Sequence, residues 1–271
     1  MTVILPHAVL PHASAATLLL SERHPAARPA RPVPPAPLSP ALSKLLARLP
    51  VQDDGEALRQ SLFHSGTHFN PDLLTSEAER RARLEGVHAA LDRAESLVFL
   101  DTESTGGRNG RLIEVALVET DVEQNVTGGL HFRCNPHRRS LAGARRVHGI
   151  QDCELEHCPE FAARADELLE AVRGKTVVIH DRTMDLLWLN RELQAARPGA
   201  PRFEDRCTVV DSFVLARAIP SERRRNGLDA LLEWYGLGAR GGHHDAYGDA
   251  ALLSRVFFEL WWDLDEWLYG E

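Results

Sequence analysis

Residues 97–107 read LVFLDTESTGG, and this stretch decides the fold. The apolar run Leu97 to Leu100 forms a short strand that ends at Asp101. Side chains alternate along a strand, so Asp101 and Glu103, at i and i+2, point to the same face. Two neighbouring carboxylates repel unless a cation or a shared proton compensates. Taken alone, the pair is equally well read as two solvated acids at a strand end. Thr105-Gly106-Gly107 adds backbone that can approach a ligand closely.

Downstream, strands and helices alternate. After the turn GGRNG, Leu112 to Glu119 reads as a second strand and Leu130 to Cys134 as a third. Helix signals at 159–172 precede a strand at 175–180, KTVVIH, and a helix from about 183 to 195. A fifth strand, CTVVD, ends at Asp211, and helices follow near 226–235 and 245–262. Hairpin-joined strands first and crossover helices later predict an α/β fold, a mixed five-stranded sheet flanked by helices.

Upstream, residues 75–95, TSEAERRARLEGVHAALDRAE, predict a helix capped by Thr75 or Ser76, with Leu84, Val87 and Leu91 at helical spacing. Residues 24–40, HPAARPARPVPPAPLSP, are too proline-rich for helix or central strand and read as a flexible or polyproline-like linker. ALSKLLAR at 41–48 can form a short amphipathic turn or two. The division expected is a Pro-rich tail over 1–50, a helical extension over 51–95 and one domain of ordinary size over 96–265.

Bulk properties bound the class. The chain has 271 residues, 44% of them hydrophobic, enough for a proper core. Four cysteines without regular spacing read as reduced thiols, which suits a cytoplasmic protein better than a disulfide framework or a structural zinc site. No run of about 18 apolar residues marks a membrane span. The first residues are apolar and contain Ala13-Ser14-Ala15, but lack the basic start of a signal peptide. Net charge is −8; residues 1–50 carry five Lys/Arg and one acid, a net +4, leaving −12 for the remainder. An acidic body still binds a polyanion when cations occupy its carboxylates, so charge does not exclude nucleic acid.

Two more acids stand out by position. Asp185 opens the helix TMDLLWLNREL, with Leu189 and Leu193 four and eight residues on, so it lies on the inward stripe. A first-turn acid complementing the helix dipole is the plainer account. Asp249 heads a stripe of Leu253, Val256 and Leu260. A lone buried carboxylate is costly, whereas one bound to a metal ion is not. His244 precedes it at the loop-to-helix junction. On chemistry alone His243 serves as well, and a lone histidine is more often structural.

In order, DTES, HDRTMD and HHDAYGDA resemble the three sequence blocks of the DEDDh 3′→5′ exonucleases, a branch of the ribonuclease H-like fold. The resemblance covers residues 96 to about 260 and is strongest for members like the proofreading epsilon subunit of bacterial DNA polymerase III. ARRVHGI resembles the family's Val-His-Gly-Ile element, and VVDSFVLARAIPSERRRNGLDALLEWYGL resembles its Asp-Ser/Thr to Leu-Asp-Ala-Leu segment. The resemblance implies that Asp101, Glu103, Asp185 and Asp249 hold two divalent ions, Mg²⁺ or Mn²⁺, and that His244 is the general base. His244 is selected over His243 because His-x-Ala-x-x-Asp is matched by His244, Ala246 and Asp249. Thr102, Thr105, Gly106 and His148 are the implied substrate contacts. The second block departs from the family in having Asp181 where Asn is usual and Met184 where Phe is usual.

Phosphodiester hydrolysis suits these residue types. Hard cations prefer oxygen ligands, and a histidine titrating near neutrality can take a proton from water. The implied activity is removal of nucleotides from a 3′ end, with DNA favoured over RNA. Trimming of RNA ends or degradation of short oligoribonucleotides stays open, because the acids do not read the 2′-hydroxyl. A non-catalytic adaptor is a third reading, weakened because all five catalytic positions are filled. Residues 1–95 lie outside the resemblance. They are either a tail and buttress or a docking segment for a polymerase or sliding clamp, the latter weakly echoed by Gln60-Ser61-Leu62-Phe63.

Overall fold

The computed structural model describes residues 76–270. The Pro-rich segment, the 41–48 turn and the clamp-like peptide lie outside the described residues. The first element is helix α1, Glu77–Asp92, and Ser76 caps it by accepting a hydrogen bond from the Glu79 amide. Three strands follow as a meander: β1 Ser96–Ser104, β2 Leu112–Asp121 and β3 Val126–Arg133. Two short helices, α2 Ala142–His148 and α3 Asp152–Leu155, precede a 3₁₀ turn and α4 Ala165–Ala171. The chain then runs β4 Thr176–Ile179, α5 Thr183–Ala196 and, after a second 3₁₀ turn, β5 Thr208–Asp211. It closes with α6 Ser212–Ala218, α7 Leu228–Trp234 and the long α8 Ala246–Tyr269.

The expected mixed five-stranded sheet is present, in the order β3-β2-β1-β4-β5. β1 and β2, and β2 and β3, pair antiparallel, as hairpin connections require. β1 and β4, and β4 and β5, pair parallel across helical crossovers. Alternation along β1 divides the core. Leu97 and Phe99 face a layer built from α1, α6, α7 and α8, whereas Val98 and Leu100 face α4 and α5. Burying both faces explains why β1 is apolar without interruption until Asp101.

The structure differs from the sequence expectation in extent and in three helices. β1 continues to Ser104 and β3 begins at Val126, because pairing with β2 supports residues whose own pattern is weak. The helical signal at 159–172 resolves into a 3₁₀ turn and the seven-residue α4. Helices α2, α3 and α6 were not expected; at four to seven residues they are too short for a helical period to register. Among the described residues no helix is long and apolar enough to cross a membrane, and the four cysteines are free.

Candidate active site

The site forms at the carboxyl end of β4, beside the last residues of β1, where β4 hands its chain to α5 and leaves a crevice. Asp101 and Glu103 share the face of Leu97 and Phe99, so they project toward the start of α8. Thr102 projects the other way, toward α5, where its hydroxyl donates to Asp185 Oδ1 at 2.6 Å. Asp185 in the first turn of α5 is 9% exposed, and Asp249 in the first turn of α8 is 4% exposed. The stripe of Leu253, Val256 and Leu260 behind Asp249 is buried in the core. Burying that stripe carries the acid inward.

One atom each from Glu103, His244 and Asp249 lies within 4.8 Å of the others, a spacing that a single cation could bridge. Burial, then Asp185, Asp249 and Glu103, holds Asp101 well above the usual carboxylate range. Burial, then Asp249, Glu114 and Asp185, pushes Glu103 up to about 8. Burial likewise lifts Asp185 to about 7 and Asp249 to about 6. Four acids, two buried and two half-buried, set against one another are a poor arrangement without cations. One cation is supplied by the chain itself. Arg240 donates from Nη1 to Asp249 Oδ2 at 2.7 Å and approaches His244 Nδ1 at 2.7 Å, while its Nε lies 2.8 Å from Asp229. An oxygen-rich donor set of this kind fits hard divalent ions.

The two histidines are placed differently. His244 is half-buried, 3.5 Å from Asp249, and its amide donates to Val147 O at 3.0 Å. Burial, then Arg240, lowers its pKa below the ordinary imidazole value. His243 is exposed, with its ring against Gly149, where an added Cβ would come within 2.8 Å of it.

The remaining predicted contacts have varied surroundings. Thr105 is fully buried; its hydroxyl accepts from the Arg111 amide and its own amide donates to Arg111 O, which closes the GGRNG loop. Gly106 has φ +93, and a Cβ there would meet Ala144 at 2.9 Å, so glycine lets α2 pack against this loop. His148 is 4% exposed; Nδ1 accepts from the Ile150 amide, and Nε2 is a buried donor with no hydrogen-bond partner among the described residues.

The sequence alone passes over what Glu114, Asp211 and Arg240 do. Glu114 sits opposite Glu103 in the β1–β2 register and accepts from the Ala246 amide, Arg133 Nε and His131. It thereby pins the start of α8 to the sheet. A single acid in the apolar run LIEVALV is a signal that could have marked it. Asp211 accepts from the amides of Asp181, Arg182, Phe213 and Val214, and so aligns the starts of both α5 and α6. Asp181, at φ 57, occupies the left-handed region that Asn and Asp tolerate best. Arg240, in a glycine-rich loop, carries no sequence signal.

With this geometry in place, residues 98–257 match the family model described as Exonuclease, RNase_T, which covers more than half of the chain. The chain belongs to this exonuclease family. The exonuclease is similar to the DNA polymerase III subunit epsilon of Rickettsia felis, 34% identical over 168 residues, covering 60% of this chain and 72% of that one. It is also similar to the corresponding Escherichia coli subunit, 33% identical over 172 residues, covering 60% and 70%. Its fold is similar to that of E. coli Exonuclease I crystallised with a dT13 oligonucleotide, with a TM-score of 0.51 at 20% identity, covering 64% of this chain and 41% of that one. The mixed five-stranded α/β architecture expected from the sequence is therefore one that a solved exonuclease shares.

Proposed function

We propose that this exonuclease hydrolyses phosphodiester bonds one at a time from the 3′ end of single-stranded or frayed DNA, releasing nucleoside 5′-monophosphates. The observation that carries the reading is the convergence of four acids, Asp185 and Asp249 buried and Asp101 and Glu103 half-buried, that raise one another's pKa and have Arg240 as a neighbouring cation. Asp101, Glu103, Asp185 and Asp249 would hold two divalent ions, Mg²⁺ or Mn²⁺. When bound, such ions supply Lewis acidity and charge relief for attack at phosphorus.

The chain's own residues do the rest. His244, neutral at physiological pH, takes the proton of the attacking water. The P–O3′ bond then breaks, and the shortened strand leaves with a free 3′-hydroxyl. Thr102 acts through Asp185, fixing the carboxylate by its hydroxyl. Thr105 and Gly106 shape the backbone beside the reacting phosphate, and the unpaired Nε2–H of His148 is the donor we assign to the terminal nucleotide. The similar epsilon subunits belong to a polymerase, so a polymerase partner acting in trans is part of the proposal, docked through the N-terminal extension ahead of α1.

The test is digestion of 5′-labelled and 3′-blocked strands in Mg²⁺, in Mn²⁺ and in chelator. The expected result is a ladder of shortening products that requires metal and a free 3′ end, and that persists when residues 1–50 are removed. Nicking of a circular strand, or full activity in chelator, would overturn the proposal. Faster attack on an RNA strand of the same sequence would transfer it to the exoribonuclease reading.

A further inference from the structure

Residues 138–148 read RRSLAGARRVH, four arginines without an acid in a chain of net charge −8. In the fold this segment is the loop before α2 and α2 itself. Arg138, Arg139 and Arg146 are exposed, while Arg145 is spent on Asp152 at 3.1 Å. Among the described residues Arg139 and Arg146 make no ion pair, so their charge faces outward. Between them, Leu141 and Val147 are 54% and 46% exposed, unusual for large aliphatic side chains.

This surface is registered to the acids at both ends. The Leu141 amide donates to Thr105 O at 2.9 Å, two residues beyond Glu103. At the other end Val147 O accepts from the amide of His244. Ala144 packs against Gly106, and Arg138 Nη1 donates to Asn109 O at 2.9 Å, which ties in the loop that carries exposed Arg108. A rigid element bonded to both site loops cannot move independently of the reacting centre.

We propose that the exposed face of α2 and its preceding loop is the track along which the single strand enters the site. Arg138, Arg139 and Arg146 would contact phosphates upstream of the scissile bond, with Leu141 and Val147 beneath the bases. Cations alternating with apolar groups match a strand that offers phosphates and flat base faces in alternation. A protein docked here would cover both loops of the site and block it, so nucleic acid is the occupant to which the geometry points. The proposal rests on the function assigned above and extends it to the binding of the strand.

The experiment compares wild type with R138Q/R139Q/R146Q on two substrates. One is a fluorescein-labelled oligothymidylate of about 20 nucleotides, followed by anisotropy in chelator and by turnover in Mg²⁺. The other is the nitrophenyl ester of thymidine 5′-monophosphate, which has no upstream phosphate for Arg138, Arg139 or Arg146 to contact. Each phosphate contact on a single strand contributes about 0.7 to the slope of log affinity against log salt. The triple variant is therefore expected to lower that slope by about 2 and to raise KM for the oligonucleotide, with ester turnover unchanged. R138K/R139K/R146K should restore the slope, and L141S/V147S should weaken binding on the order of 10-fold at unchanged slope. An unaltered slope in a folded triple-Gln variant overturns the proposal. So does intact strand binding accompanied by loss of a co-purifying protein. Failure of wild type to hydrolyse either substrate instead removes the function on which the proposal rests.

Discussion

Arg240 Nη1 lies 2.7 Å from Asp249 Oδ2, so a guanidinium from the loop before α8 neutralises part of the acidic cluster. The same nitrogen is 2.7 Å from His244 Nδ1, on the face where Glu103, His244 and Asp249 converge. A divalent ion bound there must share Asp249 with Arg240 or displace it. R240Q is expected to tighten Mn²⁺ binding by about 10-fold in calorimetric titration, since roughly 1.4 kcal/mol of competing interaction is removed. In chelator the same variant should melt earlier than wild type at pH 8, because the acids lose their resident cation. Weaker Mn²⁺ binding in R240Q would show that Arg240 supports the ions and does not compete with them.

The raised carboxylates set a pH dependence with a definite sign. Burial, with neighbouring acids, lifts Glu103 to about 8, Asp185 to about 7 and Asp249 to about 6. A group whose folded pKa exceeds its unfolded value binds more protons in the folded state, so stability falls as pH rises between the two values. In chelator the melting temperature should therefore decline from about pH 4.5 to about pH 8, and E103Q should flatten the upper part of the decline. Saturating Mg²⁺ should oppose it. A chelated protein that gains stability over this range would contradict the charge arrangement.

Glu114 behaves in the opposite sense. Burial alone would raise its pKa, but hydrogen bonds from His131, the Ala246 amide and Arg133 outweigh burial and hold it near 2. Its contribution is present above the unfolded pKa of about 4.5 and is lost as pH falls toward 2. E114A leaves the buried Ala246 amide without its acceptor, a cost of about 1–3 kcal/mol in denaturant titration. Because the start of α8 carries Asp249 and directly follows His244, kcat should fall more than KM rises. A variant as stable and as active as wild type would show that α8 is held by its apolar stripe alone.

The adjacent histidines separate sharply. H244A should lose on the order of 10²–10⁴-fold in turnover, the range for a positioned general base. It should also flatten the acid limb of the pH–rate profile. H243A should cost much less, since that ring is exposed and packs on Gly149. Reversed outcomes would place the base one residue earlier in the loop.

Local periodicity by itself determined a good deal of this protein. A strand period of two places Asp101 and Glu103 on one face, and helical stripes carry Asp185 and Asp249 inward. Both arrangements depend only on neighbours within a few residues, so they are legible in the chain. The resemblance of three short blocks to the exonucleases then selects the family, whose model matches residues 98–257. Tertiary structure decided the rest. The same alternation that pairs Asp101 with Glu103 turns Thr102 toward α5, but only the packed helix brings Asp185 to its hydroxyl. Helix α2 is seven residues long, too short to announce itself, and is placed by bonds to Thr105 and His244 at its ends. Glu114 reaches the Ala246 amide across 132 positions of sequence, and Arg240 reaches Asp249 from a loop without periodicity. Compensation of buried charge acts through space, so its partners emerge only once the chain has folded.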